Sequence, residues 1–265
     1  MTNSHETAQF GRLLKFWREV HQLSQEALAL ELSSSTRHLS CLENNKARPS
    51  LSMVKTIAAR FNLNERDTSH LMLAAGFVPE NPVRDLTDPS LRWLRNAMEL
   101  NLNALMPQPA ALIDRYGDVQ LANAAWFEVM REAEVLDADN NQPNYYVLLF
   151  KLLEVESDEE LRQNTASLIR MALQQEYLLS GDARFEAVLK LLDDLNLLSS
   201  SWPTRAAKLD PMASYRIPIK RNGQIEHVFN VNQSVGATGP ASYVSEPRLT
   251  LCALYPESKH SQTNS

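Results

Sequence analysis

Along residues 10–77 apolar side chains recur every three or four positions, in short runs broken by polar stretches, which predicts a compact all-helical module. Phe10, Leu13, Leu14 and Trp17 share one face of a first helix. A second opens at Ser24-Gln25-Glu26, with the Ser24 hydroxyl placed to cap it and Ala27 and Leu28 turned inward. Leu32 and serines 33–35 make the turn into a third helix, Thr36 to Asn44, with Leu39 and Leu42 on its buried side. Pro49-Ser50 starts a fourth, in which Val54, Ile57, Ala58 and Phe61 share a face. Asn64, three residues before Asp67, caps a fifth, and Gly76 ends it.

The pattern then changes. Pro79, Pro82 and Pro89 among polar residues read as a stiff connection, and Leu91, Leu94, Met98, Leu102 and Leu105 line one face of a further helix. Beyond Pro107 two strands are expected, Ala110 to Arg115 and Val119 to Asn123, joined by a tight turn at Tyr116-Gly117-Asp118. Ala124 to Glu132 reads as helix. Ser157-Asp158-Glu159-Glu160 has the form of a capping box opening a helix to about Leu179, and Phe185, Val188, Leu189, Leu192 and Leu195 mark another. The strongest alternation comes last: Tyr215, Ile217 and Ile219, a type I′ turn at Asn222-Gly223, then Ile225, His227, Phe229, Val231, Gln233 and Val235. Arg248 to Tyr255 adds a final strand. The expected architecture is multi-domain: an all-α five-helix domain at residues 1–78, a linker and connecting helix at 79–106, an α+β domain with an antiparallel sheet at 107–258, and a polar tail at 259–265.

Charge sharpens this division. The chain of 265 residues carries a net −6, unevenly spread: residues 1–79 hold nine basic against seven acidic side chains, a balance of +2, and the remainder 17 against 25, a balance of −8. That excludes a broad non-specific nucleic-acid surface and leaves room for a small basic patch on the first module. The polar stretch Met1 to Gln9 has no apolar core of a signal peptide, and no apolar run approaches the roughly 18 residues of a membrane span. Cys41 falls in a helical pattern and Cys252 in a strand pattern, so no disulfide framework is expected, and the reading is of a cytoplasmic protein.

The stretch Leu23 to Ala29, followed by Ser40 to Lys46 and then Arg48-Pro49-Ser50, resembles the lambda-repressor-like, XRE-type helix-turn-helix family. Ser35 to Glu43 and Leu73 to Pro79 are similar to its MmyB-like branch. Two positions depart from the family pattern: Glu31 to Ser33 replace a glycine in the turn between the second and third helices, and Asn45 stands where glycine usually follows the recognition helix. Asparagine tolerates the left-handed conformation that glycine supplies there.

The resemblance implies that the third helix enters the major groove of double-stranded DNA. Thr36, Arg37, Ser40 and Cys41 would then face base edges, Arg37 gripping guanine O6 and N7. Gln25, at the start of the second helix, is placed to anchor a phosphate, and Asn44, Asn45, Lys46 and Arg48 are further phosphate contacts. His38 reads equally as a DNA contact or a rim residue. Glu43 is expected to pair with Arg18 as a structural ion pair, because a carboxylate facing phosphate would repel it. Lys55, Arg60 and Arg66 read as solvated faces. A single helix-turn-helix grips few base pairs, so a homodimer held through residues beyond Pro89 on a two-fold symmetric operator is expected.

Pro109 to Arg115 and Val119 to Asn123 resemble the opening of the MmyB-like ligand-binding domain, and residues 236–240 resemble its C-terminal part more loosely. That family's domain is PAS-like and implies a small, mostly apolar, fatty-acid-like ligand. Trp126, Phe127, Tyr145, Tyr146, Phe150, Trp202, Tyr215 and Phe229 are the candidate lining, each also readable as ordinary core, with Arg115, Arg205, Arg216 and His227 as polar anchors. His227, alternating with apolar residues, also reads as a sheet-edge histidine with a protein partner.

Two alternatives stay open: a C-terminal domain that serves only dimerisation or protein interaction, and one with catalytic activity. No glycine-rich phosphate loop, metal-spaced His/Cys/Asp cluster or converging acid–base pair stands in the sequence, so no cofactor, metal or enzymatic activity is expected.

Overall fold

The computed structural model describes residues 4–77, 86–136, 143–210, 214–221, 223–236 and 247–257. They fall into two compact units, the first built from the N-terminal helices and the second from residue 84 onward. The expected turn residue Asn222 and most of the expected linker, including Pro79 and Pro82, lie outside the described residues, as do residues 237–246.

The first unit is five helices: α1 (Ser4–Val20), α2 (Gln25–Glu31), α3 (Thr36–Glu43), α4 (Leu51–Arg60) and α5 (Glu65–Ala74). Four of them start with a side-chain cap. Ser24, Ser35, Ser50 and Asn64 each accept a hydrogen bond from the backbone N–H three residues on, satisfying a donor that the helix itself leaves open. Phe10, Leu14, Leu28, Leu39, Leu42, Val54, Ile57 and Leu71 close over one core. Ala27, expected to turn inward, is only half-buried, and Ala29 takes the inner position beside Leu28. The α2–α3 turn manages without glycine because Ser33 itself adopts the left-handed conformation (φ 51°), as Asn45 does after α3 (φ 58°).

The second unit starts with a 3-10 turn at Pro89–Leu91 running into α6 (Arg92–Ala104). Pro89 therefore opens a helix rather than stiffening the linker, with Asp88 accepting from the Ser90 N–H. Strands β1 (Ala110–Ile113) and β2 (Val119–Ala122) follow, then α7 (Ala124–Glu132), α8 (Tyr145–Leu153), α9 (Glu159–Ser180), α10 (Ala183–Asp194) and α11 (Trp202–Ala206). Strands β3 (Ser214–Arg221), β4 (Gln224–Val235) and β5 (Leu249–Pro256) complete an antiparallel sheet in the order β2-β1-β5-β4-β3. The first and last strands thus meet at its centre, with Ala111 opposite Cys252. Asp158, not Ser157, caps α9, accepting from the N–H groups of Glu160 and Leu161. Among the described residues no helix is long and apolar enough to cross a membrane.

Helices lie on both faces of the sheet. Ile217, Ile219, Cys252, Leu254, Ala111 and Ile113 face α7 to α10, while Leu112, Leu249, Leu251 and Ala253 face Leu94, Met98 and Leu102 of α6 and Leu105 just beyond it. This layering corrects the phase of β4. Its apolar alternation points away from the α7–α10 layer: Val235 packs on the α6 side, and Ile225 and Phe229 are 50% and 38% exposed. The alternate phase, with Val228 and the fully buried Asn230, lies under α7 to α10.

Candidate nucleic-acid interface

The spacing of α3 divides it into a fixed face and a free one. Leu39, Leu42 and Glu43 are buried, Thr36, Arg37 and Asn44 are exposed, and Ser40 and Cys41 are half-buried. Ser35 caps the helix at the end that carries Thr36 and Arg37, so this first turn is rigid where base readout would occur. His38 is half-buried at the rim.

What aims α3 is the Glu43 carboxylate, 8% exposed. Arg18 Nε donates to Glu43 Oε1 at 2.6 Å and Arg18 Nη2 to Oε2 at 3.1 Å, a two-point grip. Gln25 Nε2 donates to Oε2 at 2.7 Å, and Arg18 Nη1 to the Leu23 carbonyl at 2.9 Å. One carboxylate therefore ties α1, the entry of α2 and the end of α3 together. Donating to the Glu43 carboxylate holds the Arg18 guanidinium pKa above its ordinary value. Gln25, expected as a phosphate anchor, sits at the helix start with its amide already directed at Glu43.

The expected phosphate contacts divide in the same manner. Lys46 and Arg48 are exposed. Asn44 Nδ2 donates to the Ser40 carbonyl at 2.8 Å, closing the end of α3. Asn45 Oδ1 accepts from the Gly11 N–H at 3.2 Å and so fastens α3 to α1. Gly11 is a structural residue that pattern reading missed. A Cβ there would lie 2.5 Å from Asn45 Oδ1, 2.7 Å from the Leu42 carbonyl oxygen, and closer still to that of Glu43. Arg60 is likewise more than a solvated residue: its Nε donates to Glu31 Oε2 at 2.6 Å, joining α4 to the end of α2. Arg66 pairs with Asp67 at 3.2 Å.

In the second unit the candidate ligand residues divide between the core under the sheet, the surface and the other face of the sheet. Trp126, Tyr145 and Phe150 are buried in the core under the sheet, with Tyr146 and Tyr215 packed against it. Phe127 is 42% exposed and stands edge-on to Trp126, and Phe229 lies on the other face of the sheet. Trp202 in α11 packs under the Arg170 guanidinium, 4.9 Å from the ring centre. The proposed polar anchors all have protein partners: Arg115 with Glu176, Arg205 with Asn164, Arg216 with Glu257, and His227 Nε2 with Glu156 Oε2 at 2.7 Å. Tyr145 donates to Asn230 Oδ1 at 2.9 Å, and burial pushes the Cys252 thiol beside it up to about 12. A groove of about 530 Å³ runs between α8 and α10, lined by Val147, Val188, Leu191 and Leu195 with Lys151 and Arg184, and by none of the predicted aromatic residues.

Five helices on one core, with an anchored helix whose polar face stays open, define a helix-turn-helix domain. Residues 14–67 match the helix-turn-helix family model, and this stretch is an XRE-type helix-turn-helix domain. No curated relative matches the chain. Among solved structures it is similar to the crystal structure of ComR from Streptococcus suis, at 17% identity over 76% of this chain and 66% of that one. The TM-score is 0.22, too low for the arrangement of that protein to bear on this one. The chain aligns with just under two thirds of that structure's length.

Proposed function

We propose that this chain is a one-component, sequence-specific transcription regulator: its first unit reads a two-fold symmetric DNA operator as a homodimer, and its second, PAS-like unit answers to a small, mostly apolar molecule. The observation that carries the DNA-binding part is the exposed Thr36–Arg37 turn of α3, fixed through Glu43 to α1 and α2. A helix docks reproducibly in a major groove only if its roll is fixed, and the Arg18–Glu43–Gln25 contacts fix it. Arg37 supplies base readout. Lys46 and Arg48, just beyond the helix, supply phosphate contacts, and Thr36, Ser40 and Cys41 the remaining groove surface. Gln25, Asn44 and Asn45 then act first as positioning residues.

The PAS-like reading is supported by the antiparallel sheet with a block of helices inserted between its second and third strands. Support for a guest in the core comes from two buried donors, Asn230 Nδ2 and Trp126 Nε1, which lack a hydrogen-bond partner among the described residues. Each would suit a polar atom on an otherwise apolar ligand. Trp126, Tyr145, Tyr146, Phe150 and Tyr215 are its lining in this reading. A second reading, in which this unit only pairs subunits, is favoured by the dense packing of Trp126, Phe150 and Phe185, each under 2% exposed.

Selection of bound duplexes from a random pool tests the DNA reading. The expected outcome is an enriched site whose half-sites lie about one helical turn apart. Arg37→Ala should cost roughly 1–3 kcal/mol at one base position. A pool with no enriched sequence would refute it. Native mass spectrometry then separates the two readings of the second unit, through the presence or absence of a co-purifying apolar molecule.

A further inference from the structure

Helix α6 has two apolar stripes and uses only one of them on the sheet. Leu94, Met98, Leu102 and Leu105 pack against β1, β2 and β5. On the other side Trp93, Ala97, Leu100 and Ala104 follow at steps of four, three and four residues. At 3.6 residues per turn these lie within an arc of about 60°. Trp93 and Leu100 are 69% and 72% exposed, and Ala97 and Ala104 are exposed as well. Such spacing is the seam of a pair of helices rather than the surface of a solitary one.

We infer that the Trp93–Ala97–Leu100–Ala104 face of α6 is the seam on which a second copy of this chain pairs, with the two helices antiparallel about a two-fold axis near Met98 and Glu99. The argument is size. The stripe alternates large, small, large, small. Parallel pairing would set Trp93 on Trp93 and Leu100 on Leu100, with alanine on alanine between, so that no single interhelical distance suits every layer. Antiparallel pairing sets Trp93 against Ala104 of the second copy and Ala97 against its Leu100, making every layer one large and one small side chain. Only a face complementary to itself has this property, and self-complementarity is what a two-fold interface requires.

Charge agrees with the same occupant. The residues flanking the stripe are Asn96, Asn103 and Asn101, uncharged and able to pair amide with amide across the axis. The charged residues lie further round, and Arg95 and Glu99 answer each other within the helix at 3.1 Å. Nothing along the seam would set like charges together.

This deepens the homodimer part of the proposed function and rests on it. Self-association is therefore measured without DNA, so that its failure and a failure of operator recognition stay separate. A seam of one 13-residue helix is small beside the roughly 1,200–2,000 Å² of a standard interface, so the pairing is expected to be concentration-dependent. Sedimentation equilibrium of the full chain should show a monomer–dimer equilibrium. Leu100→Glu should weaken it by about 30-fold or more, the loss expected for a residue at an interface centre, with the circular dichroism spectrum unchanged. Leu178→Glu, at another exposed leucine on α9 (71% exposed), should leave it as it was.

For the register, Ala97→Cys and Leu100→Cys chains, made in a Cys41→Ser background, should form a disulfide when mixed and not when each is oxidised alone. A wild-type chain that stays monomeric, a Leu100→Glu chain that still pairs, or no disulfide in the mixture would overturn the inference. So would self-linking of each single-cysteine chain, which marks a parallel pair.

Discussion

Replacing Gly11 by alanine sets two ordinary effects against each other, and the structure decides the sign. Gly11 lies inside α1, where alanine should be favoured over glycine by roughly 1 kcal/mol through helix propensity alone. The added methyl, however, would sit 2.7 Å from the Leu42 carbonyl oxygen and 2.5 Å from Asn45 Oδ1, where ordinary contact begins near 3.4 Å. The carbonyl belongs to helix backbone and has no rotamer to escape into. α1 must back away from the end of α3, which also stretches the Gly11 N–H to Asn45 bond. Overpacking of this kind costs about 1–3 kcal/mol. With a lost hydrogen bond of about 1 kcal/mol added and the propensity gain subtracted, a net destabilisation of about 1–3 kcal/mol is expected. Hydrogen exchange of α1–α5 amides in the full chain reads this unit separately from the second, and should show protection reduced across all five helices. Because α3 would be displaced, operator affinity should fall as well, with the base preference kept. Unchanged or increased protection would show that α1 and α3 do not approach as closely as the structure has them, and the steric reasoning would be wrong.

The remaining predictions use the charges. Glu43→Ala strands the Arg18 guanidinium in a largely buried site and should cost on the order of 3–5 kcal/mol in urea unfolding of the first unit, while Arg18→Met with Glu43→Leu should recover much of it. An Arg18→Met/Glu43→Leu chain no more stable than Glu43→Ala would count against the ion-pair account. Lys46→Ala and Arg48→Ala should weaken all DNA sequences alike and each lower the salt slope by about 1, measured by binding titrations at several salt concentrations. Burial raises the Asp114 carboxyl to about 6, so the folded state holds its proton more tightly than the unfolded one. Stability of the second unit should therefore fall as pH rises from about 4 to about 6, and Asp114→Asn should flatten that part of the denaturation midpoint profile. Glu156 has the opposite sign. Desolvation works to raise its pKa, but the Asp158 N–H and the His227 ring outweigh it and hold the carboxyl below its ordinary range. What it contributes is present above about pH 4.5 and lost as pH falls further, a loss that Glu156→Gln should abolish.

The elements legible in the sequence were those whose signals are local. Ser24 and Asn64 cap their helices as expected because a cap needs only its own residue and an N–H three positions on, and Ser35 and Ser50, expected only at a turn and a helix start, cap theirs in the same way. Tyr116-Gly117-Asp118 turns as expected because Gly117 takes φ 87°, and the left-handed turns at Ser33 and Asn45 come where the family pattern has glycine. The Arg18–Glu43 pair is legible from its place in that pattern, whereas Gln25 joining the same carboxylate and Arg60 meeting Glu31 across 29 residues have no local signal. Helix α8 is not legible in the sequence for a physical reason. Its run Tyr145 to Leu153 is apolar on nearly every side because both its faces are enclosed, so it has little periodicity to read.

By itself, then, the sequence determined the α+β second unit and the five-helix first one, with the face of α3 that stays open, since burying Leu39 and Leu42 leaves Thr36 and Arg37 outside. It also determined that β4 has two unlike faces. Which of those faces turns toward the helices was decided only by the tertiary structure. Alternation is symmetric between the two sides of a sheet, and here both sides have an apolar cover, α6 on one and α7 to α10 on the other. The choice fell to the neighbouring strands. Once β5 sets Cys252 and Leu254 under the helices, antiparallel register carries Asn230 and Asn232 inward and leaves Phe229 on the outer face, whatever their polarity alone would suggest.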